Sequence, residues 1–202
     1  MVRRDRISGA KALSETRFEF GVTPFYFLRH GETPESQGGI VQGQNESQLN
    51  TVGRETAEKA AEAFSSVPLG SIFASPLRRA WLTASIGSVF TRAPAYPLPG
   101  LMERHWGFYQ GLPKDWRPPL SNPRTVEAIE DFTRRVLDAL RSISGPAPVL
   151  VVAHSGVFRV ICSHVGLPID RGISIASGLV LKLEPPTNQR KAWHITVADG
   201  GC

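Results

Sequence analysis

At 202 residues, with 41% hydrophobic and 20% charged residues, the chain has the size and composition of a single globular domain, which excludes wholesale disorder. It contains no apolar run of the ~18 residues that a membrane helix requires, and its basic N-terminus lacks the apolar segment of a signal peptide. We therefore expect a cytoplasmic protein without a membrane partner.

The net charge of +5 is concentrated near the N-terminus, where five basic and two acidic side chains lie within the first seventeen residues. A basic terminal segment is more often a solvated extension than a specific nucleic-acid site, so we expect no nucleic-acid partner. Residues 1–22 are predicted to be a flexible basic extension, and residues 23–202 a single domain. Cys162 and Cys202 are too far apart for a CxxC metal motif and too few for a disulfide framework.

The first half of the domain is predicted to alternate two strands with two helices. Residues 25–28, "FYFL", indicate a short buried strand, and a glycine- and glutamine-rich loop follows over residues 34–49. Residues 51–64 place alanines and a phenylalanine at helical spacing. A second strand is predicted over residues 71–75, and it runs into Pro76, which suits the first turn of the helix that follows.

The second half contains an irregular segment and then the clearest elements of the chain. Four prolines within residues 104–124 exclude a long helix there. An apolar stripe predicts a helix over residues 125–143, and "VLVVAH", residues 149–154, predicts a buried strand that leads into another helix. "GLVLKLE" and "AWHITVA" indicate two late strands near a sheet edge. Because strands and helices alternate, we predict an α/β fold, a three-layer sandwich with a mostly parallel central sheet flanked by helices.

Three of the predicted strands end in polar or charged residues. The first is followed by Arg29 and His30, the second by a segment that contains Arg79, and the third by His154. The carboxyl ends of parallel strands meet at one edge of an open α/β sheet, and ligands bind in the crevice there. We therefore expect two arginines and two histidines in one crevice, beside helix N-termini that favour anions.

These residue types together are typical of phosphoryl chemistry. Arginine forks match the oxygens of a phosphoryl group, and positive neighbours lower the pKa of a histidine, which keeps its imidazole neutral and nucleophilic. Attack of that imidazole on phosphorus gives a phosphohistidine, while the arginines and the second histidine hold the charge of the transferring group. Cleavage of the ester also needs a proton for the leaving oxygen, and Glu103 in "LMERHWGFYQG" is the best-placed donor.

Four sequence blocks carry a resemblance to a known family. In chain order they are "LRHGET", "SPLRRAWLTA", "LMERHWGFYQG" and "VVAHSGVFRVI", and together they span roughly residues 25–165. In this order the blocks resemble the histidine phosphatase superfamily, the phosphoglycerate mutase-like proteins. A single R-H-G is a weak signal, whereas four blocks in the family's order are a strong one.

The resemblance implies a role for each central residue. His30 would be the phosphorylated nucleophile and Glu103 the proton donor, while Arg29, Arg79 and His154 would bind the phosphoryl group. The family's L-x-R-A pattern selects the second arginine of "LRRA" for the pocket. Neither a metal nor an organic cofactor is implied, and the expected partner is a small phosphorylated substrate.

The chain departs from the family pattern just after its first block. The family commonly has an aromatic residue and an asparagine after R-H-G-E-T and an arginine four residues later, where this chain has Glu35, Ser36 and Ile40. Ile40 removes a cation from the rim of the pocket, which argues against heavily charged substrates such as phosphoglycerates. The candidates for substrate binding are Ser36, Gln42, Gly43 and Ser155.

Several alternatives remain open at this stage. Within the family, the chain could be a phosphoglycerate mutase-type phosphoryl transferase or a catalytically silent binding module, although its short length favours a phosphatase. A serine hydrolase built on Ser155, Asp170 and His194 follows the chain order of that class, but the glycines that should flank the serine are absent. The sequence does not decide the oligomeric state, and a homodimer is one option.

Overall fold

Strands and helices alternate along the chain in the computed structural model, which describes residues 17–64, 67–116, 125–168 and 175–198. The strands in these ranges are β1 (Phe25–Arg29), β2 (Ser71–Ala74), β3 (Ala95–Pro97), β4 (Val149–Ala153), β5 (Val180–Glu184) and β6 (His194–Val197). The helices are α1 (Pro34–Gln37), α2 (Thr51–Glu62), α3 (Arg78–Thr91), α4 (Ile129–Ser142) and α5 (Ser155–His164). Short 3-10 turns at Gly107–Tyr109 and Lys114–Trp116 occupy the segment predicted to be irregular, of which residues 117–124 lie outside the described ranges.

The strands form a mixed sheet in the order β3-β2-β4-β1-β5-β6. β3, β2, β4 and β1 run parallel to one another. β5 pairs antiparallel with β1, and β6 pairs antiparallel with β5. The predicted α/β fold with a mostly parallel sheet is confirmed, and the two late strands lie side by side at one edge.

Strand β4 is buried on both faces, which explains its continuous apolar sequence. Val149, Val151 and Ala153 belong to a core layer shared with α4 and α5. Leu150 and Val152 belong to a second layer shared with α2 and α3. Helices therefore cover both faces of the sheet, as a three-layer sandwich requires. No helix in the described ranges is long and apolar enough to cross a membrane.

Part of the predicted N-terminal extension packs onto the domain. Phe18 is buried, and its ring meets that of Phe25 edge-on, with 5.8 Å between the ring centroids. The backbone N–H of Phe18 also donates to the carbonyl oxygen of Gly145 at 3.0 Å. Phe18 therefore contributes to the packing of the domain although it precedes the predicted boundary at residue 22, because burying an aromatic side chain stabilises the folded state by about 2–3 kcal/mol. Residues 1–16 lie outside the described ranges.

Candidate active site

The carboxyl ends of β1, β2 and β4 lie level at one edge of the sheet. The backbone N–H of His30, just after β1, donates to the carbonyl oxygen of Ala153 at 3.0 Å. The backbone N–H of Ser75, just after β2, donates to the carbonyl oxygen of Val152 at the same distance. The hydrogen-bonded ladder therefore continues past the strands and brings His30, Ser75 and His154 together, as the sequence predicted for the two histidines.

The ring of His30 is held in one orientation by its own chain. Its Nδ1 lies 2.8 Å from the carbonyl oxygen of Gly31, and because a carbonyl only accepts, Nδ1 must carry the hydrogen. The lone pair of the neutral ring therefore resides on Nε2. Burial holds the pKa of His30 well below 6.5, and the charges of Arg79 and Arg29 lower it further. Burial therefore lowers this pKa more than the two arginines do, whereas the sequence alone predicts only the effect of the arginines.

Arg79 enters the site from the first turn of α3 and is only 1% exposed. Its Nη1 donates to the carbonyl oxygen of Asn45 at 2.8 Å, and its Nη2 donates to that of Gly43 at 2.7 Å. Burial lowers the pKa of Arg79 to about 10, so the guanidinium remains charged at neutral pH. The two carbonyls fix the plane of the fork, a geometry that a lysine does not reproduce.

Arg29 is anchored from another direction. Its Nη1 donates to the carbonyl oxygen of Ile175 at 2.7 Å, close to the start of the segment that leads into β5. Its buried Nε has no hydrogen-bond partner among the described residues, and the same is true of the Nε of Arg79. Burial lowers the pKa of Arg29, while the carboxylate of Glu103 acts in the opposite direction. Each arginine is therefore positioned by one side of its guanidinium group.

His154 is fully buried beside His30, with 5.1 Å between the two ring centroids. Its Nε2 lies 2.8 Å from the hydroxyl oxygen of Ser75, and its Nδ1 has no partner within the described part of the chain. Burial, followed by the charge of Arg79, holds its pKa well below the ordinary value. A buried ring nitrogen without a partner is costly unless a bound group meets it. Ser75 was not predicted as a site residue, although it is the last residue of a predicted strand.

The carboxylate of Glu103 is held by two backbone donors. Its Oε1 accepts from the N–H of Arg104 at 2.8 Å, and its Oε2 accepts from the N–H of Gly156 at 3.0 Å. Gly156 lies in the first turn of α5, where the positive end of the helix dipole favours an acidic group. A Cβ atom added to Gly156 would collide with Oε1 of Glu103. The glycine therefore makes room for the carboxylate that its own N–H holds.

Arg135 binds the backbone of the loop that carries Glu103, and the sequence patterns do not indicate this role. Its Nη1 donates to the carbonyl oxygens of Gly100 at 2.9 Å and Met102 at 2.7 Å, and its Nη2 donates to that of Glu103 at 2.9 Å. The same guanidinium is paired with the carboxylate of Glu127, with a shortest distance of 2.6 Å. Arg135 lies off the apolar stripe of α4, where a charged side chain is ordinarily solvated. Its position next to the core residue Val136 was the only hint of its role.

These groups surround a cavity of about 330 Å³. Most of the predicted site residues line it: Arg29, His30, Gln42, Gly43, Arg79, Glu103 and Ser155. His154 is not part of this lining, but its ring lies beside that of His30. Ser36 does not line the cavity, because its hydroxyl is engaged in capping α1, where it accepts from the N–H of Thr33 at 2.9 Å and donates to the carbonyl oxygen of Thr33 at 3.0 Å. Ser36 and Thr33 form a capping box.

A larger cavity, of about 380 Å³, lies between α5 and the edge strands β5 and β6. Its wall is mainly apolar and includes Phe158, Cys162 and Trp193. None of the residues predicted for the phosphoryl site lines it, and Arg159 lies in the walls of both cavities, so the chemistry of the site belongs to the smaller cavity.

The rim of the cavity carries two cationic side chains although Ile40 itself is apolar. Ile40 lines the cavity and forms an isolated β-bridge with Pro113, and the N–H of Lys114 donates to the carbonyl oxygen of Gly39 at 2.9 Å. Lys114 and Arg159 also line the cavity, and both residues are exposed. The structure therefore supplies positive charge at the rim from two elements that the sequence analysis did not connect with it.

The residues proposed for a serine hydrolase are not assembled. Ser155 lies in the cavity wall at the start of α5, whereas His194 is an exposed residue of β6. β1 and β5 separate β6 from β4, the strand that precedes α5. Asp170 lies outside the described residues.

Residues 25–194 match the family model described as Histidine phosphatase superfamily (branch 1). The metal-independent phosphoserine phosphatase of Arabidopsis thaliana is 33% identical over 168 residues, which cover 73% of this chain and 70% of that protein. PhoE of Bacillus subtilis, an uncharacterized phosphatase, is 27% identical over 150 residues, which cover 71% and 78% of the two chains. The structure of Bacillus stearothermophilus YhfR superposes with a TM-score of 0.73 at 27% identity, covering 86% of this chain and 95% of that one.

Proposed function

Because the chain belongs to the histidine phosphatase superfamily and is a phosphatase, we propose that it is a metal-independent phosphomonoester hydrolase that acts through a phosphohistidine on His30. The observation that carries this proposal is the orientation of the His30 ring. Its Nδ1–H is directed to the carbonyl oxygen of Gly31, which leaves the lone pair of Nε2 for attack on phosphorus. The lowered pKa of His30 keeps that lone pair unprotonated at neutral pH.

In the first step, Nε2 of His30 attacks phosphorus and the bond from phosphorus to the leaving oxygen breaks. Arg29 and Arg79 hold the charge on the phosphoryl oxygens, and Nδ1 of His154 supplies one further polar contact. Glu103, which lines the same cavity, gives its proton to the leaving oxygen. The alcohol then leaves, and the phosphoryl group remains on His30.

In the second step, the Glu103 carboxylate takes a proton from water, and the water oxygen attacks phosphorus. The bond between phosphorus and Nε2 breaks, which releases inorganic phosphate and restores the neutral imidazole. The two backbone donors on Glu103 and the support from Arg135 keep the carboxyl group in one place through both steps.

A phosphate-release screen over sugar phosphates, nucleotides, phosphoglycerates and phosphoamino acids tests the proposal. We expect release from at least one class, no release by His30→Ala, and normal release by His105→Ala, which changes an exposed histidine outside the cavity wall. Alkaline quenching followed by mass spectrometry should find one phosphoryl group on His30. Isomerisation of a phosphoglycerate without phosphate release would instead identify a mutase, and failure to trap phosphate with any substrate would indicate a silent binding module.

A further inference from the structure

Resting on the proposed function, we propose that Arg159 and Lys114 form a second anion subsite and that the leaving group of the substrate carries a carboxylate. Both residues line the cavity that holds His30 and Glu103, and both are exposed. They are distinct from Arg29 and Arg79, which serve the phosphoryl group in the proposed mechanism. The subsite would therefore determine which phosphomonoester the protein hydrolyses.

The position of Arg159 places it on the leaving-group side of the cavity. Ser155, Gly156 and Arg159 lie within one turn on the same side of α5, and all three line the cavity. The N–H of Gly156 holds the carboxylate of Glu103, which is the group that protonates the leaving oxygen in the proposed mechanism. Arg159 would therefore be available to a leaving group that extends from Glu103 along α5.

Arg159 has no ion pair or hydrogen bond of its side chain within the described residues. The positive charges of Arg159 and Arg29 repel each other. This repulsion helps to lower the pKa of Arg29, although burial is the larger cause. Of the described residues that line the cavity, Glu103 is the one carboxylate. An anion from the substrate would relieve the repulsion between the two guanidinium groups.

Lys114 reaches the cavity from the 3-10 turn Lys114–Trp116. The backbone hydrogen bond from Lys114 to Gly39 and the bridge between Ile40 and Pro113 attach this turn to the wall that contains Ile40. Lys114 thus supplies a cation next to the wall that contains Ile40, whose own side chain is apolar. Together with Arg159, it gives the cavity two rim cations from separate elements.

A carboxylate fits this subsite better than a second phosphate. The cavity volume of about 330 Å³ is roughly ten times the ~30 Å³ share of a water molecule, which suits a phosphoryl group with a small leaving group. A carboxylate adds a single negative charge and accepts two parallel hydrogen bonds from an arginine. A second phosphate adds about two charges and would be repelled more strongly by the phosphoryl group.

Two pairs of substrates that differ mainly in a carboxylate test the proposal. They are 3-phosphoglycerate with glycerol 3-phosphate, and O-phosphoserine with O-phosphoethanolamine. For the wild-type protein we expect kcat/KM to be higher by about tenfold or more for the carboxylated member of at least one pair. Arg159→Gln and Lys114→Gln should each bring this ratio towards one, mainly through KM. Arg134→Gln, an exposed arginine of α4 that pairs with Asp131, should keep the wild-type ratio.

The outcomes separate this inference from the proposed function. Equal hydrolysis of both members of each pair, or an unchanged ratio in Arg159→Gln, would overturn the subsite while the phosphatase function stands. Preference for a sugar bisphosphate over every carboxylated substrate would overturn the assignment of a carboxylate. Absence of phosphate release from all substrates would overturn both proposals. Melting temperatures of the variants near that of the wild type would establish that the changes in ratio do not arise from unfolding.

Discussion

Gly156 donates its backbone N–H to the carboxylate of Glu103 at 3.0 Å, and the space that a side chain would need at Gly156 is filled by that same carboxylate. One residue of α5 therefore both holds and accommodates the proposed proton donor, which comes from a segment 53 positions earlier in the chain. The position of the proton donor thus depends on a contact between a helix N-terminus and an irregular loop.

Gly156→Ala should lower kcat by about 100-fold, a typical contribution of a positioned general acid, because the new Cβ displaces the Glu103 carboxylate. Phosphate release from the best substrate measures this effect. Gly87→Ala is the matched control, since Gly87 also lies in a helix but an added Cβ would make only an ordinary 3.6 Å contact with Ile72. We expect Gly87→Ala to retain activity. Normal activity in Gly156→Ala would contradict the positioning role.

Arg135→Met should reduce both stability and activity. The substitution removes three hydrogen bonds to the backbone of the Glu103 loop and leaves the half-buried Glu127 without its partner. We expect a loss of about 2–3 kcal/mol in the free energy of unfolding, measured by urea denaturation. Arg134→Gln changes the neighbouring exposed arginine and should cost less than ~1 kcal/mol. Equal losses in the two variants would show that the backbone contacts of Arg135 contribute little.

Arg79→Lys should lower kcat/KM by about 100-fold, because an ammonium group cannot bind two carbonyl oxygens in one plane and still present a fork to phosphate. The neighbouring residue offers a matched control, since Arg78 is exposed at the start of the same helix. Arg78→Lys should therefore behave like the wild type. Inhibition by inorganic phosphate gives a second readout, and it should weaken in Arg79→Lys. Similar kinetics for the two variants would argue against a phosphoryl-binding role.

The stability of the protein should fall in mild acid. The folded state keeps His30 and His154 neutral, since burial holds both pKa values well below 6.5. As the pH drops through ~6.5, the unfolded chain takes up protons at these histidines while the folded protein does not, so unfolding is favoured. Each histidine then lowers the free energy of unfolding by up to about 1.4 kcal/mol per pH unit, until the pH reaches the pKa of that histidine in the folded state.

Urea unfolding between about pH 7.5 and 5.5 measures this dependence. The free energy of unfolding of His154→Asn should fall less steeply with decreasing pH than that of the wild type, because one of the two buried neutral histidines is absent. An identical slope in the two proteins would mean that His154 is not kept neutral by the fold. The same lowered pKa of His30 predicts that kcat/KM is maintained below pH ~6.5, as long as the fold persists.

The local patterns of the chain predict the sheet, and they place two histidines at strand ends that the structure brings together. Apolar runs mark β1 and β4 because each strand is buried among apolar neighbours, and His30 and His154 directly follow those runs. The carboxyl ends of parallel strands lie at the same edge of a sheet, so residues at these positions come together independently of the connecting loops. Ser36, a candidate taken from the family pattern rather than from a strand end, has its hydroxyl in the capping box of a short helix, an interaction that the apolar runs do not reveal.

Only the tertiary structure decided what holds these residues and what surrounds the substrate. Arg135 contacts Glu103 across 32 positions, and Arg79 contacts Gly43 across 36 positions, so no local periodicity reveals either pair. Lys114 and Arg159 resemble ordinary solvated residues in the sequence, and they acquire a shared surface only when the irregular segment and α5 meet at the cavity. Long-range contacts depend on how the elements pack, and the sequence encodes that packing through all of its residues together rather than at any one motif.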